Sequence, residues 1–300
     1  MSVDATKVAH NRFGLWTSSL LLVLGLVGLT ALFYFLAVEF PAQLTGLLLV
    51  AAGLVLALVP ALLWLAFFYL QDRFEPEPKH HVLGVFVLGG LLAAAVGQPV
   101  VRELFRVQDW MTQAWWVNLL ASVLIVGFVQ EFLKLAAVRF SIYHSSEFDE
   151  RVDGVIYGVA AGLGYATVLN FGYVLDHGGV DLGVGSMVVV VNALAHASFA
   201  GITGYFLGQA KFETTPAYWL PLGLTIAAAL NGLFFFLEDL VTQQGMRFTP
   251  QYGVVLAAAF ALGILTVVFF LIRRANAETL AIARYREQQQ AAAAGAASEV

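Results

Sequence analysis

Cysteine is absent from the 300 residues, which removes disulfides, thiolate metal sites and a cysteine nucleophile together. Charge is scarce as well. Asp, Glu, Lys and Arg make up 12% of the chain, against roughly 25% in a soluble domain. No basic run or patch occurs of the kind that binds nucleic acid, so no nucleic-acid partner is expected. What is there is apolar: 60% of the residues are hydrophobic, and the mean hydropathy is +0.82. A chain of this composition has too little polar surface to cover itself, so its solvent is lipid. The net charge of −5 says little about partners, because charges on opposite faces of a bilayer do not act together.

Crossing the hydrocarbon core takes about 20 apolar residues in a helix. Eight segments qualify: 15–38, 43–70, 82–101, 115–138, 153–175, 185–208, 217–240 and 252–272. The expected fold class is therefore all-α, a polytopic membrane protein with about eight transmembrane helices. The first segment is too long for a signal peptide and no small-residue cleavage site follows it, which makes it a permanent anchor. Three parts follow: an extra N-terminal helix at 1–40, a transmembrane domain at 41–272, and a tail at 273–300 that is loosely helical before it enters a disordered alanine-rich end.

Lysine and arginine set the orientation. With both termini cytoplasmic, the inner side holds Lys7, Arg12, Arg73, Lys79, Arg139, Arg151, Lys211, Arg273, Arg274, Arg284 and Arg286. The outer side holds Arg102, Arg106 and Arg247, and Lys134 lies within a span. This bias predicts a multi-pass protein of the inner or plasma membrane.

Ionisable groups deep in a bilayer are costly and mark functional positions. Only three lie well inside the spans: Glu131, Lys134 and His196. Glu131 and Lys134 are three apart and share a helix face, with Gln130 bordering it. The plain structural reading is that the lysine neutralises the glutamate while reaching for the cytoplasmic surface, and that His196 bridges two helices through a hydrogen bond. Pairing leaves Asn170, Asn192 and Asn231 in neighbouring spans unexplained. At 1.5 Å per residue, His196, Asn231 and Leu169–Asn170 stand at similar depth. Glycines at 154, 158 and 162, and the pair 204 and 208, form small-residue stripes suited to close helix packing.

The residues resemble the PrsW family, bacterial glutamic-type intramembrane proteases linked to anti-sigma-factor cleavage. The likeness runs over about 62–240 and rests on FFYLQDRFEPEPKHHVLGVFVLGG, QEFLK, EFDERVDGVIYGVAAGLGYATVLNFGYVL and HASFAGITGYFLGQAKF. It implies a PrsW-like fold and three catalytic positions: Glu131, Lys134 and His196. Four further motif positions are substituted. Gln130 stands where the family has the leading glutamate of its Glu-Glu-x-x-Lys motif. Leu169 replaces the glutamate of Phe-x-x-x-Glu, with Tyr165 in its aromatic place. Asn231 and Phe235 replace the histidine and aspartate of His-x-x-x-Asp. The implied activity is peptide hydrolysis on a single-pass membrane client, anti-sigma-factor-like by resemblance, in contact with membrane lipid. No cofactor is implied with certainty, and the sequence offers few donors for the divalent metal that the chemistry would also allow. An inactive scaffold that binds transmembrane helices is the alternative. A transporter or lipid-handling protein is a third reading, against which stands the lack of duplicated halves.

Overall fold

The computed structural model describes residues 17, 20–32, 35, 45–71, 76–176, 182–244 and 251–298. Described residues form helices α1 Leu20–Leu32, α2 Gly46–Tyr69, α3 Lys79–Gln113, α4 Trp115–Ser141, α5 Asp153–Asp176, α6 Leu182–Phe212, α7 Trp219–Gln244 and α8 Gln251–Ser298. Among the described residues seven helices are long and apolar enough to span a membrane, so the chain is an all-α polytopic membrane protein. The expected first span at 15–38 is represented by α1 alone, and most of the stretch 1–40 lies outside the described residues.

Two features differ from the sequence expectation. Helix α8 continues past 272 without a break, through the expected loosely helical stretch and into the alanine-rich end as far as Ser298. Helices α3 and α4 are not uniformly α-helical. Wide π turns occupy Ala93–Gly97 and Val100–Leu104 in α3, and Ser122–Gly127 in α4. Pro99 lies between the two in α3, where its missing N–H would interrupt an ordinary helix. Arg106 takes a left-handed backbone (φ 47°) and bends the end of α3.

Helices α5 and α6 form the centre of the bundle. In their most apolar stretches 78% and 72% of residues are buried, against 28% in α2, α3 and α8. The glycine stripes explain how the two central helices pack. A Cβ on Gly154, Gly158 or Gly162 would run into the backbone carbonyls of Gly204, Ala200 and His196 respectively. Gly204 and Gly208 meet the backbone of Gly154 and Arg151 in the same way. With no driving force from water inside a membrane, such close backbone approach is what holds helices together. Gly127 on α4 and Gly232 on α7 make a second close seam, against Ala228 and Ser122. The first seam joins α5 to α6 and the second joins α4 to α7.

Candidate functional site

Glu131 and Lys134 lie one turn apart on α4, directly after its π turn, and both point inward with 0% and 1% of their side chains exposed. Lys134 Nζ is 2.5 Å from Glu131 Oε1 and 2.7 Å from Nδ1 of His196 on α6. Asn231 on α7 donates from Nδ2 to Glu131 Oε1 at 2.7 Å and to Gln130 Oε1 at 3.0 Å. Three helices are thus joined by one chain of hydrogen bonds, and the lysine does not reach for the surface. Its ammonium also lies 5.4 Å from the ring of Tyr165 on α5. Glu131 Oε2 is buried and has no hydrogen-bond partner among the described residues.

A cavity of about 440 Å³ opens beside this chain. Gln130, Tyr165, Leu169, His196, Asn231 and Phe235 all line it. Positions spread over more than 100 residues of sequence therefore meet on one wall. Glu131 and Lys134 stand behind that wall, reaching the cavity only through Asn231 and His196. The far end of the cavity is lined by Arg102, Gln108 and Asp176, where Arg102 and Asp176 pair at 3.6 Å with both side chains more than half exposed.

Asn170 takes no direct part in this chain. Its Nδ2 donates to Val189 O at 3.1 Å and its Oδ1 accepts from Asn192 Nδ2 at 2.6 Å, which is a bridge between α5 and α6. Of this pair only Asn192 faces the cavity. Gln98, Arg102 and Gln108 of α3 also line this cavity, and no local pattern in the chain signals that they would.

A second buried polar cluster was also missed. Glu77, at the Pro-flanked start of α3, is 3% exposed and accepts a hydrogen bond from Tyr157 on α5, while its backbone oxygen accepts one from Tyr69 at 2.9 Å. Burial holds the Glu77 carboxyl above the usual carboxylate range, partly offset by the hydrogen bond from Tyr157 and by one shared with Asp153. Nearby, Asp153 Oδ2 accepts from the backbone N–H of Asp149 and Glu150. Lys211 donates to the carbonyl oxygens of Tyr143, Ser145 and Phe148. An acid at a helix start reads as exposed in sequence, and its only hint of burial was the aromatic partner 80 residues away.

Comparison with known proteins agrees with this architecture. The family described as PrsW family intramembrane metalloprotease matches residues 77–262. Protease PrsW of Bacillus subtilis is 31% identical over 191 residues, covering 63% of this chain and 82% of that protein. Protease PrsW of Halalkalibacterium halodurans is 33% identical over 179 residues, covering 59% and 79%. That of Oceanobacillus iheyensis is 26% identical over 225 residues, covering 74% and 95%. No solved structure matches the chain.

The family description implies a metal, and the residues present do not fit one. Among the described residues no three His, Cys, Asp or Glu side chains are grouped so as to hold an ion. The carboxylate and imidazole that do come together are bridged by the Lys134 ammonium, 2.5 and 2.7 Å away. The lysine ammonium occupies Glu131 Oε1 and His196 Nδ1, and a positive charge between the two groups would repel a divalent cation. Leu169 and Phe235 supply no donor on the wall nearby. With its family match spanning well over half its length and relatives of which it covers about four fifths, the chain belongs to the PrsW family of intramembrane proteases.

Proposed function

We propose that this chain is an intramembrane protease that works with a reduced set of catalytic groups on single-pass membrane-protein clients. The observation that carries this reading is the position of Glu131. Its Oε1 is held by Lys134 and Asn231, which leaves Oε2, buried and without a hydrogen-bond partner, as the atom to take a proton once client binding admits water from the cavity. Glu131 serves as the base, Lys134 as its charge partner, and His196 as the group that polarises the scissile carbonyl. Leu169 and Phe235 accept no proton, and Asn231 offers an amide where the family has an imidazole. A positioned acid–base group contributes about 10²–10⁴-fold in rate, so turnover is slow. The bias of lysine and arginine orients the chain with both termini cytoplasmic, which turns the Arg102–Asp176 end of the cavity outward. A client of the anti-sigma-factor type enters with its transmembrane segment beside α3 and α4.

The test is cleavage of a single-pass client by the purified protein in proteoliposomes, beside Glu131→Gln and His196→Ala. Slow cutting that both substitutions abolish supports the assignment. Client capture without any cutting supports the alternative, an inactive scaffold, which the aliphatic and aromatic side chains of Leu169 and Phe235 on the cavity wall favour. Gln130→Glu, Leu169→Glu, Asn231→His and Phe235→Asp introduced together restore the family's groups and raise the rate under the protease reading.

A further inference from the structure

Paired with Glu131 as an ammonium, Lys134 has three donors and no acceptor, which determines what the cavity lining presents. Its Nζ faces His196 Nδ1 at 2.7 Å, and an ammonium there donates to Nδ1 and leaves the imidazole proton on Nε2. The same logic continues through Asn231. Its amide nitrogen donates to Glu131 Oε1 and to Gln130 Oε1, which commits the oxygen of Gln130 and leaves its NH₂ as the free end. His196 and Gln130 both line the cavity. Each of these two lining residues thus carries an N–H donor that the hydrogen-bond chain around the buried ion pair leaves uncommitted.

We propose that His196 Nε2–H and Gln130 Nε2–H form a two-donor seat for a carbonyl oxygen of a peptide in the cavity, with Lys134 and Asn231 as the residues that position it. Paired N–H donors are the means by which acyl-transfer sites hold an oxygen as charge develops on it. Gln130 is then a working group of this chain, because a glutamate there would present an acceptor and repel the same oxygen. Asn231 supports it, since an amide reaches both Gln130 and Glu131 with its two hydrogens. The inference rests on the reading of the cavity as a peptide site, but the seat exists in the resting protein whether or not cleavage follows.

The experiment therefore uses the intact protein in nanodiscs without a client. The ring nitrogens of histidine and the side-chain amides of glutamine are labelled with ¹⁵N. The probe is N,N-dimethyloctanamide, which carries a carbonyl oxygen and no N–H, with octane as control. The His196 signal is the one lost in His196→Gln. Should that variant not accumulate, it is the one that survives replacement of the other five of the six histidines. The Gln130 signal is the one lost in Gln130→Met. The expected result is an Nε2–H tautomer for His196, with the His196 Nε2 and Gln130 Nε2 resonances shifting together and saturably as the amide is added. Octane leaves both in place. An Nδ1–H tautomer or a doubly protonated ring would overturn the proposal, because the lysine would then not be donating to an unprotonated Nδ1. A shift of one resonance alone, of neither, or an equal response to octane also overturns it. Failure of the cleavage assay with a positive result here would remove the hydrolase and keep the seat.

Discussion

One ion pair lies behind the cavity wall and another lines the cavity, and the two pairs behave as opposites. Lys134 and Glu131 are 2.5 Å apart and all but fully buried, with Asn231 and His196 completing their bonds. Arg102 and Asp176 are 3.6 Å apart and more than half exposed. Attraction between unit charges scales inversely with the local dielectric, so the same chemistry counts for far more in the inner pair. The cost of taking charges out of water grows in parallel, and the pair survives there only because its neighbours are hydrogen-bonded to it. The inner pair fixes geometry. The outer pair edges an opening.

The largest effect should come from leaving one inner charge without its partner. Lys134→Ala strands Glu131 and should cost about 3–5 kcal/mol of stability, visible as a loss of folded yield or of resistance to SDS titration. Lys134→Ala combined with Glu131→Gln should recover much of that loss. A double variant worse than either single change would show that the two residues are not energetically paired.

Next in size is the packing that brings His196 within reach of the lysine. Gly162→Val places a side chain against the carbonyl of His196, and overpacking of this kind costs about 1–3 kcal/mol. It should also weaken client cleavage or capture, because α6, which carries His196, must shift away from α5. Normal function with normal stability would show that the close seam is dispensable.

Glu77 supplies an intermediate case, a buried acid outside the spans. Its pKa in the folded protein is raised by burial above the ordinary 4.5, so the folded state binds this proton more tightly than the unfolded state does. The resulting stabilisation is complete below about pH 4.5 and is lost as pH rises through the folded-state value. Melting temperature in detergent should fall across that window, and Glu77→Gln should flatten the slope. An unchanged profile in the variant would assign the slope to another group.

The smallest effect belongs to the outer pair. Arg102→Ala should change stability by less than about 1 kcal/mol, and added salt should erase the difference. A loss as large as that of Lys134→Ala would erase the contrast between the two pairs.

Much of this organisation was legible in the chain. Apolar run length gave seven of the spans directly, and the rarity of ionisable groups inside them isolated Glu131, Lys134 and His196. The glycine stripe at 154, 158 and 162 announced the central seam. What the sequence concealed was contact. Depth counting treated Asn170 as level with the site, whereas its side chain turns toward Val189 and Asn192. Glu77 was hidden for a different reason. Proline on either side marks a loop, and nothing local indicates that Tyr157 covers it.

The π turn at Ser122–Gly127 acts on the site as a change of thread in a screw. A π turn holds one residue more than an α turn, so every side chain beyond it is rotated about the axis relative to those before it. One residue of an ordinary helix corresponds to about 100°. Regularising this turn to α with all its residues kept would therefore swing Gln130, Glu131 and Lys134 together by about that angle, off the Asn231–His196 side, whereas deleting one residue between 122 and 127 would close the helix as regular α and keep their facing. Composition and hydrophobicity of α4 would hardly change in either case. The polar site of this protein is thus indexed by how one extra residue is absorbed, and straightening that turn would disconnect it more completely than most substitutions within it.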